Sequence, residues 1–442
     1  MRKRAAIVGA GLAGLTAGWR LQQAGYEVDV YEREPHASGR IRSVNVGGCT
    51  VDAGATVFLS TYADTLALID ELGLTGDLEP VTGQAWIPRE GRIHAVDLDA
   101  PLKALFSNVI GWNSKIALIR LVRRFLALRG RLDYESLGRV AGEDTETLAD
   151  YCRLRFAPEV YDYVLNPALK FLYLHDGTSG SLMELLWWMA AAGTGTPRSL
   201  KRGSSSLADA LASRLTVHTG RTVREVVRRG AQVELTVERG DGPPQHTVVD
   251  ACVIAVPGTV AATIGAQGLT PRQRAFLEGR RYDRTITVTF CTRRRPAGQG
   301  LMIMLPDAVS TSMATIIFGH HIGASRVPAD RGIVNAYYMR DWSEARWTDD
   351  DAAIVRAAQA EVAPLVPEVA DLHATHVQRW SHSAAISGPG DCAQAAAFEA
   401  EVDPASPIQF TGDYQVQASM NVAVTNGNRV ARRLVAAQQG KA

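Results

Sequence analysis

Cysteine is scarce in this chain and is spread thinly. Five occur in 442 residues (Cys49, Cys152, Cys252, Cys291 and Cys392), and no two form a CxxC pair. An odd, dispersed set excludes a disulfide framework and suits a reducing compartment, so a cytoplasmic location is expected. Charge of one sign is lacking as well. Forty-seven basic residues face 46 acidic ones, a net charge of +1. No global field draws such a chain to nucleic acid, and no nucleic-acid partner is expected. No uninterrupted apolar run reaches the length of a membrane span. The basic start MRKRAAIVGAG opens as a signal peptide does, but glycines break its apolar run at once. There is no HExxH and no Cys/His cluster, so no metal is expected. His320 and His321 read as strand neighbours pointing to opposite faces, which makes poor shared ligands.

What the chain does have is a glycine pattern near its start. RAAIVGAG reads as a buried parallel strand of small and β-branched residues, with Gly9, Gly11 and Gly14 following it. Gly9 allows a tight turn after the strand. Gly11, without a Cβ, lets the backbone approach a pyrophosphate, and Gly14 lets the next helix pack on the sheet. Leu12 and Ala13 open that helix, which runs on through LTAGWRLQQAGY with Gly25 as its C-cap. EVDVYERE then makes a second strand ending at Glu32, 23 residues after Gly9. That is where the ribose-binding acid of a dinucleotide fold belongs, and free N–H groups at the helix N-terminus would hold the pyrophosphate.

Three further blocks follow the same logic. Arg33 succeeds the acid, then Ser38-Gly39-Arg40-Ile41-Arg42-Ser43, then CTVDAGATVF with Gly54, Ala55 and Thr56. DACVIAVPGTV gives a middle strand ending in Ala255-Val256-Pro257. At the far end, PIQFTGDYQVQASMNVAVTNGNRVARRLV holds a strand, Gly412-Asp413, and a helix opening at Met420, Asn421 and Val422. This combination resembles the FAD-dependent amine oxidase, protoporphyrinogen oxidase and phytoene desaturase superfamily. Ser38 departs from it, standing where the superfamily's GGR segment has its first glycine.

The resemblance implies an α/β fold: a Rossmann-like FAD-binding domain with an inserted α+β substrate domain. The FAD domain is expected at 1–80, 200–275 and 395–442, and the substrate domain at 81–199 and 276–394. FAD is implied as cofactor, with Arg33, Gly39, Arg40, Gly54, Ala55 and Thr56 along it and the backbone of Val223 at the adenine. Asp413 falls near the ribityl chain or pyrophosphate. The helix starting at Met420, Asn421 and Val422 points its N-terminus at the flavin pyrimidine edge, where its dipole stabilises the reduced ring. Cys392 stands near the cysteine that binds flavin covalently in monoamine oxidases, but its flanks do not match that motif, so non-covalent FAD is expected.

The first insert reads as mostly helical, and GTGTPRSLKRGSSS as the loop returning from it. In KIALIRLVRRFLALRGRL, Leu118, Leu121, Val122, Phe125 and Leu128 share one helix face, with Arg120, Arg123 and Arg124 on the other. Two readings stay open: a surface helix packed on the substrate domain, or a basic amphipathic patch touching a membrane. LLWWMAAAG and NPALKFLYL either line a greasy pocket or are plain helix core. YDRTITVTFCT alternates as a half-buried strand does, and WTDDD reads as an N-cap and first helical turn.

For the chemistry, the resemblance implies hydride removal by FAD, with O2 or another acceptor reoxidising it. Monoamine oxidase-like members keep a lysine near flavin N5 and an aromatic cage for the amine. Here Thr285 stands at the lysine position and Ser419 at one cage position, with Trp380 further back. A large hydrophobic substrate, oxidised to a double bond as by protoporphyrinogen oxidases and desaturases, is therefore the leading expectation. An amine or amino-acid oxidase of secondary metabolism, or a redox-silent FAD isomerase, remains the alternative. No catalytic residue is singled out; His382, beside Trp380, reads either as a surface or core histidine, the commoner case, or as one reaching the flavin cavity. The oligomeric state stays open.

Overall fold

A computed structural model describes residues 2–97, 107–133, 137–193, 195–240, 242–298 and 300–440. Strand Arg4–Val8 lies at the centre of a five-stranded sheet. It pairs in parallel with Glu27–Tyr31 on one side and Ala251–Ile254 on the other. Thr216–His218 and Ile408–Phe410 complete the sheet at its two edges, again in parallel. A central parallel strand is buried on both faces, which is why residues 5–8 are all buried and carry no alternation. Helix Leu12–Gln23 covers one face, and Met420–Gln438 packs across it. A Cβ on Gly427 would come within 2.6 Å of the Ala13 carbonyl oxygen, so the two helices touch backbone to backbone there.

The second lobe is built on a seven-stranded mixed sheet. Its order is Leu372–Trp380, Thr285–Thr292, Gly332–Tyr338, Met313–Phe318, Gly300–Met304, Gln84–Arg89 and Arg92–Asp97. The last two strands form a hairpin from the first insert, which is therefore not purely helical. Helices Trp112–Leu128, Leu148–Arg155, Asn166–Tyr173 and Leu182–Ala192 supply the remainder. The loop expected after them contains a strand, Pro197–Leu200, which pairs with Phe58–Leu59 and Leu78–Pro80. The TITVTFCT strand alternates as expected, but neither of its faces meets solvent, and all eight residues are buried. Ile286, Val288 and Phe290 join the apolar core under helix Asp351–Val362, whose N-cap Asp350 accepts from the Ala353 amide at 2.7 Å. Thr285, Thr287 and Thr289 alternate with Ile286, Val288 and Phe290 on the opposite face.

Between the lobes lies a buried carboxylate with many donors. Asp52 accepts from the Ser43 hydroxyl (2.5 Å), the Thr56 hydroxyl (2.5 Å), the Ser204 amide (2.8 Å) and the Ser204 hydroxyl (3.3 Å). Its fifth partner is the Arg326 guanidinium at 2.5 Å, and both side chains of that ion pair are at most 2% exposed. Arg326 also donates to the Leu200 carbonyl. Removing one member of a buried pair leaves the other charge uncompensated. Arg326→Met is expected to cost about 3 kcal/mol, read as a lowered urea midpoint at unchanged slope.

Candidate cofactor and substrate cavity

A cavity of about 1910 Å³ opens at the carboxyl ends of Arg4–Val8 and Ala251–Ile254 and runs between the lobes. Single small-molecule sites are usually about 300–1,000 Å³, so the space suits a dinucleotide and a second ligand together. The cavity has a polar half at the parallel sheet and an apolar half at the seven-stranded sheet.

The glycines shape the polar half in three different ways. Gly9 has φ +103°, and a Cβ there would lie 2.7 Å from the Ala255 carbonyl oxygen. A Cβ on Gly14 would lie 2.1 Å from the Gly9 carbonyl oxygen, which fixes the distance between helix and strand. A Cβ on Gly11 would meet nothing within 4 Å, because it would point into the cavity. Gly11 is also the N-cap of helix Leu12–Gln23, and no side chain caps that end. Unpaired N–H groups and a positive dipole end thus face open space, as a pyrophosphate requires.

Charged groups surround that space. Glu32 is 9% exposed and accepts from the Ala10 amide (2.8 Å) and the Glu34 amide (2.9 Å). Arg40 donates to Asp413 at 2.8 Å and to the Ser383 carbonyl at 2.7 Å. Burial works against the Arg40 charge, but the Asp413 carboxylate outweighs it and holds the guanidinium above its ordinary range. About a third of this side chain (35%) stays accessible to the cavity. Ser38, the departure noted in the sequence, sits at φ 124°, a conformation suited to glycine. Its amide is tied to the Ala10 carbonyl at 3.0 Å. Val223 lies on the wall beside a β-bulge between Val223 and Glu225.

All but three of the predicted cofactor residues line this one cavity. The exceptions are Gly14, Asn421 and Val422. Gly14 packs inward against the strand, and Val422 is buried in the core. The Asn421 side chain turns away and accepts from the Thr65 amide and hydroxyl, each at 3.1 Å. Ser419 caps the final helix by accepting from the Asn421 amide at 3.2 Å.

The apolar half settles what the greasy runs do. Phe171 and Leu172 of NPALKFLYL, and Trp188 and Met189 of LLWWMAAAG, stand on the wall, while Leu185, Leu186 and Trp187 are core. Among the described wall residues there is no lysine. The carboxylates are Glu32, Glu34 and Asp413, all of the polar half. Thr285 lies off the wall and Thr287 lies on it. Trp380 is on the wall, its indole N–H donating to the Ala53 carbonyl at 3.0 Å. At the Ser419 corner the aromatic ring comes from Tyr62, whose hydroxyl is bonded to Ser419 and whose pKa burial raises. Nothing local in the sequence marks Tyr62, because 357 residues separate it from Ser419.

Other candidates fall elsewhere. Cys392 is buried off the wall, and burial pushes its thiol well up. His382 is on the wall beside Thr259, 3.2 Å from its hydroxyl, and burial lowers its pKa, helped by Arg33, Arg40 and Arg284. His320 and His321 are helical rather than extended, with rings 4.6 Å apart. No group of three metal-ligating side chains occurs among the described residues.

A parallel sheet that offers an uncapped helix N-terminus to a cavity closed by a second lobe is a dinucleotide-binding architecture. More specifically, the chain belongs to the flavin containing amine oxidoreductase family, whose model matches residues 12–435. It is 30% identical over 167 residues to mitochondrial protoporphyrinogen oxidase of Nicotiana tabacum, covering 37% of this chain and 31% of that protein. Several of the curated relatives are matched over only about a third to a half of their own length. Coproporphyrinogen III oxidase of Mycobacterium tuberculosis is 23% identical over 92% of both chains. In structure, cyclohexylamine oxidase from Brevibacterium oxydans superposes with a TM-score of 0.76 at 17% identity, over 99% of this chain and 100% of that one. That likeness establishes the fold alone.

The glycine geometry separates packing from binding. Gly14→Ala should cost the apoprotein about 2–3 kcal/mol in unfolding free energy. Gly11→Ala should cost the apoprotein less than about 1 kcal/mol, yet lose its flavin during purification, as the visible spectrum would show.

Proposed function

We propose that this protein is an FAD-dependent oxidoreductase that removes a hydride from a hydrophobic small molecule to form a double bond, as a protoporphyrinogen oxidase or desaturase would. The carrying observation is the apolar half of the cavity, where side chains such as Phe171, Leu172, Trp188, Met302 and Ile317 dominate and no lysine or carboxylate occurs among its described residues. When bound, FAD supplies the two-electron acceptor. The chain's own groups do the rest. The N–H groups behind Gly11, together with Arg40, hold the pyrophosphate. Glu32 holds the ribose, Val223 the adenine and Asp413 the ribityl side, and Ser419 caps the helix that faces the ring. On this reading residues 1–80, 200–275 and 395–442 carry the cofactor and 81–199 and 276–394 the substrate. No described wall residue is a cysteine, which supports non-covalent FAD. O2 or another acceptor takes the electrons on.

Purified protein loaded with FAD and mixed anaerobically with coproporphyrinogen III, ζ-carotene and a panel of primary amines tests this reading. Bleaching of the flavin band by a hydrophobic substrate and not by amines is expected. Rapid bleaching by amines alone would establish the amine oxidase alternative, which the aromatic rings of Tyr62 and Trp380 on the wall favour.

The same reading extends to a membrane surface. Helix Trp112–Leu128 carries the predicted apolar face only in part: Leu121 and Leu128 are buried, but Val122 is exposed. Arg124 is not on a free basic face, since it pairs with Glu146 at 3.0 Å. A second stripe appears instead, with Trp112 (63% exposed), Ile116 (61%), Ile119 (54%), Val122 (44%) and Leu126 (49%) one above another. Val122 and Leu126 also belong to the cavity wall, so the stripe runs from the surface into the apolar half. No described helix is long and apolar enough to cross a membrane. The stripe suits contact in the interfacial plane, where an apolar substrate partitions. Co-sedimentation with anionic vesicles at low salt is expected, and Ile116→Glu with Ile119→Glu should abolish it. Absence of wild-type binding would remove the membrane from the proposal.

A further inference from the structure

The threonine face of strand Thr285–Thr292 meets the cavity as part of a row that crosses four strands. In register, Gln378 lies beside Thr287, Thr287 beside Tyr337, and Tyr337 beside Thr315. All four line the cavity. The two ends of the row are occupied within the protein. Thr315 donates to the Ile303 carbonyl at 2.9 Å, and the Gln378 amide donates to the Arg379 carbonyl at 2.9 Å while its oxygen accepts from Arg42 at 3.3 Å. Between them, the Thr287 hydroxyl is buried with no hydrogen-bond partner, and Tyr337 stands directly beside it on the neighbouring strand. Thr287 is 1% and Tyr337 7% exposed.

A buried hydroxyl without a partner is costly, and an isosteric valine at 287 would avoid the cost. Neighbouring wall positions use that solution: Met302, Met304 and Ile317 of the adjoining strands are apolar. Burial, and then the Asp52 charge, hold the Tyr337 phenol protonated. It can therefore donate, and Thr287 can donate or accept. Directly opposed side chains on neighbouring strands lie close enough to grip one ligand group.

We propose that Thr287 and Tyr337 form a polar subsite in the apolar half of the cavity, which hydrogen-bonds a nitrogen or oxygen group on an otherwise apolar substrate. This rests on the reading above and narrows it: the site selects heteroatom-bearing molecules over plain hydrocarbons.

The test uses the FAD-loaded full chain and two probes in the same detergent. Coproporphyrin III carries ring nitrogens, ζ-carotene carries only carbon and hydrogen, and binding is followed by perturbation of the flavin spectrum. Thr287→Val and Tyr337→Phe should each weaken coproporphyrin III five- to tenfold and leave ζ-carotene within twofold of wild type. Thr287→Ser should keep wild-type affinity for both. Unchanged affinity for coproporphyrin III, or equal weakening of the two probes, overturns the subsite. A shift in flavin midpoint potential with unchanged probe affinity also overturns it, because the hydroxyls would then serve the cofactor. If wild type binds neither probe but binds a primary amine, the functional reading fails. The same variants titrated with that amine then decide the subsite: a five- to tenfold loss sustains it and no loss ends it.

Discussion

The Asp52 carboxylate holds the two lobes in one geometry. Its five donors come from a hairpin of the first lobe, the loop that runs along the cavity, the return from the first insert, and Arg326 of the second lobe. A buried charge with every acceptor site in use is stable where it is and intolerant of any partner's movement. The Thr56 hydroxyl is one of those partners, so the wall of the cavity is bolted to the same point as the second lobe. Tyr337, on the far side, feels the Asp52 charge as well. The spacing of the lobes, and hence the shape of the cavity between them, is fixed at this anion together with the Trp380–Ala53 and Arg40–Ser383 hydrogen bonds across the same seam.

Around that point the cavity is divided by chemistry rather than by a partition. At the parallel sheet, backbone N–H groups and the Arg40–Asp413 pair suit a charged, polar ligand. At the mixed sheet, methyl groups and rings surround one polar row, Gln378, Thr287, Tyr337 and Thr315. Local strain sits in the polar half: Ser38 is held at a positive φ, with its amide anchored to the Ala10 carbonyl beside Gly11. Non-glycine residues persist in such conformations when their surroundings over-determine them. Here the turn runs close against the helix N-cap, since a Cβ on Gly39 would already lie 3.0 Å from the Gly11 Cα.

Much of this was legible in the chain because it is local. The strand, the glycines and Glu32 lie within some thirty residues, and the steric demands on each can be reasoned from spacing alone. The Gly412-Asp413 turn was legible for the same reason. What the sequence hid depends on distant partners. The hairpin at 84–97 finds its place only by pairing with Gly300–Met304. Asn421 points to Thr65 and not to the cavity. Tyr62 meets Ser419 only through the fold. The polar face of TITVTFCT had the period of a solvated strand, and periodicity cannot tell solvent from a cavity. The same limit applies to helix Trp112–Leu128, where one apolar stripe was read correctly in kind but a second lay beside it.

Strand Ile408–Phe410 and helix Met420–Gln438 belong to the same layer as the first strand, although some four hundred residues separate them. On a ribosome adding about 5–20 residues per second, that separation amounts to about 20–80 s. Throughout that interval one edge of the parallel sheet lies open and helix Leu12–Gln23 lacks the neighbour it packs against. The cavity gains its wall residues Gly412, Asp413 and Met420 only when that last segment emerges.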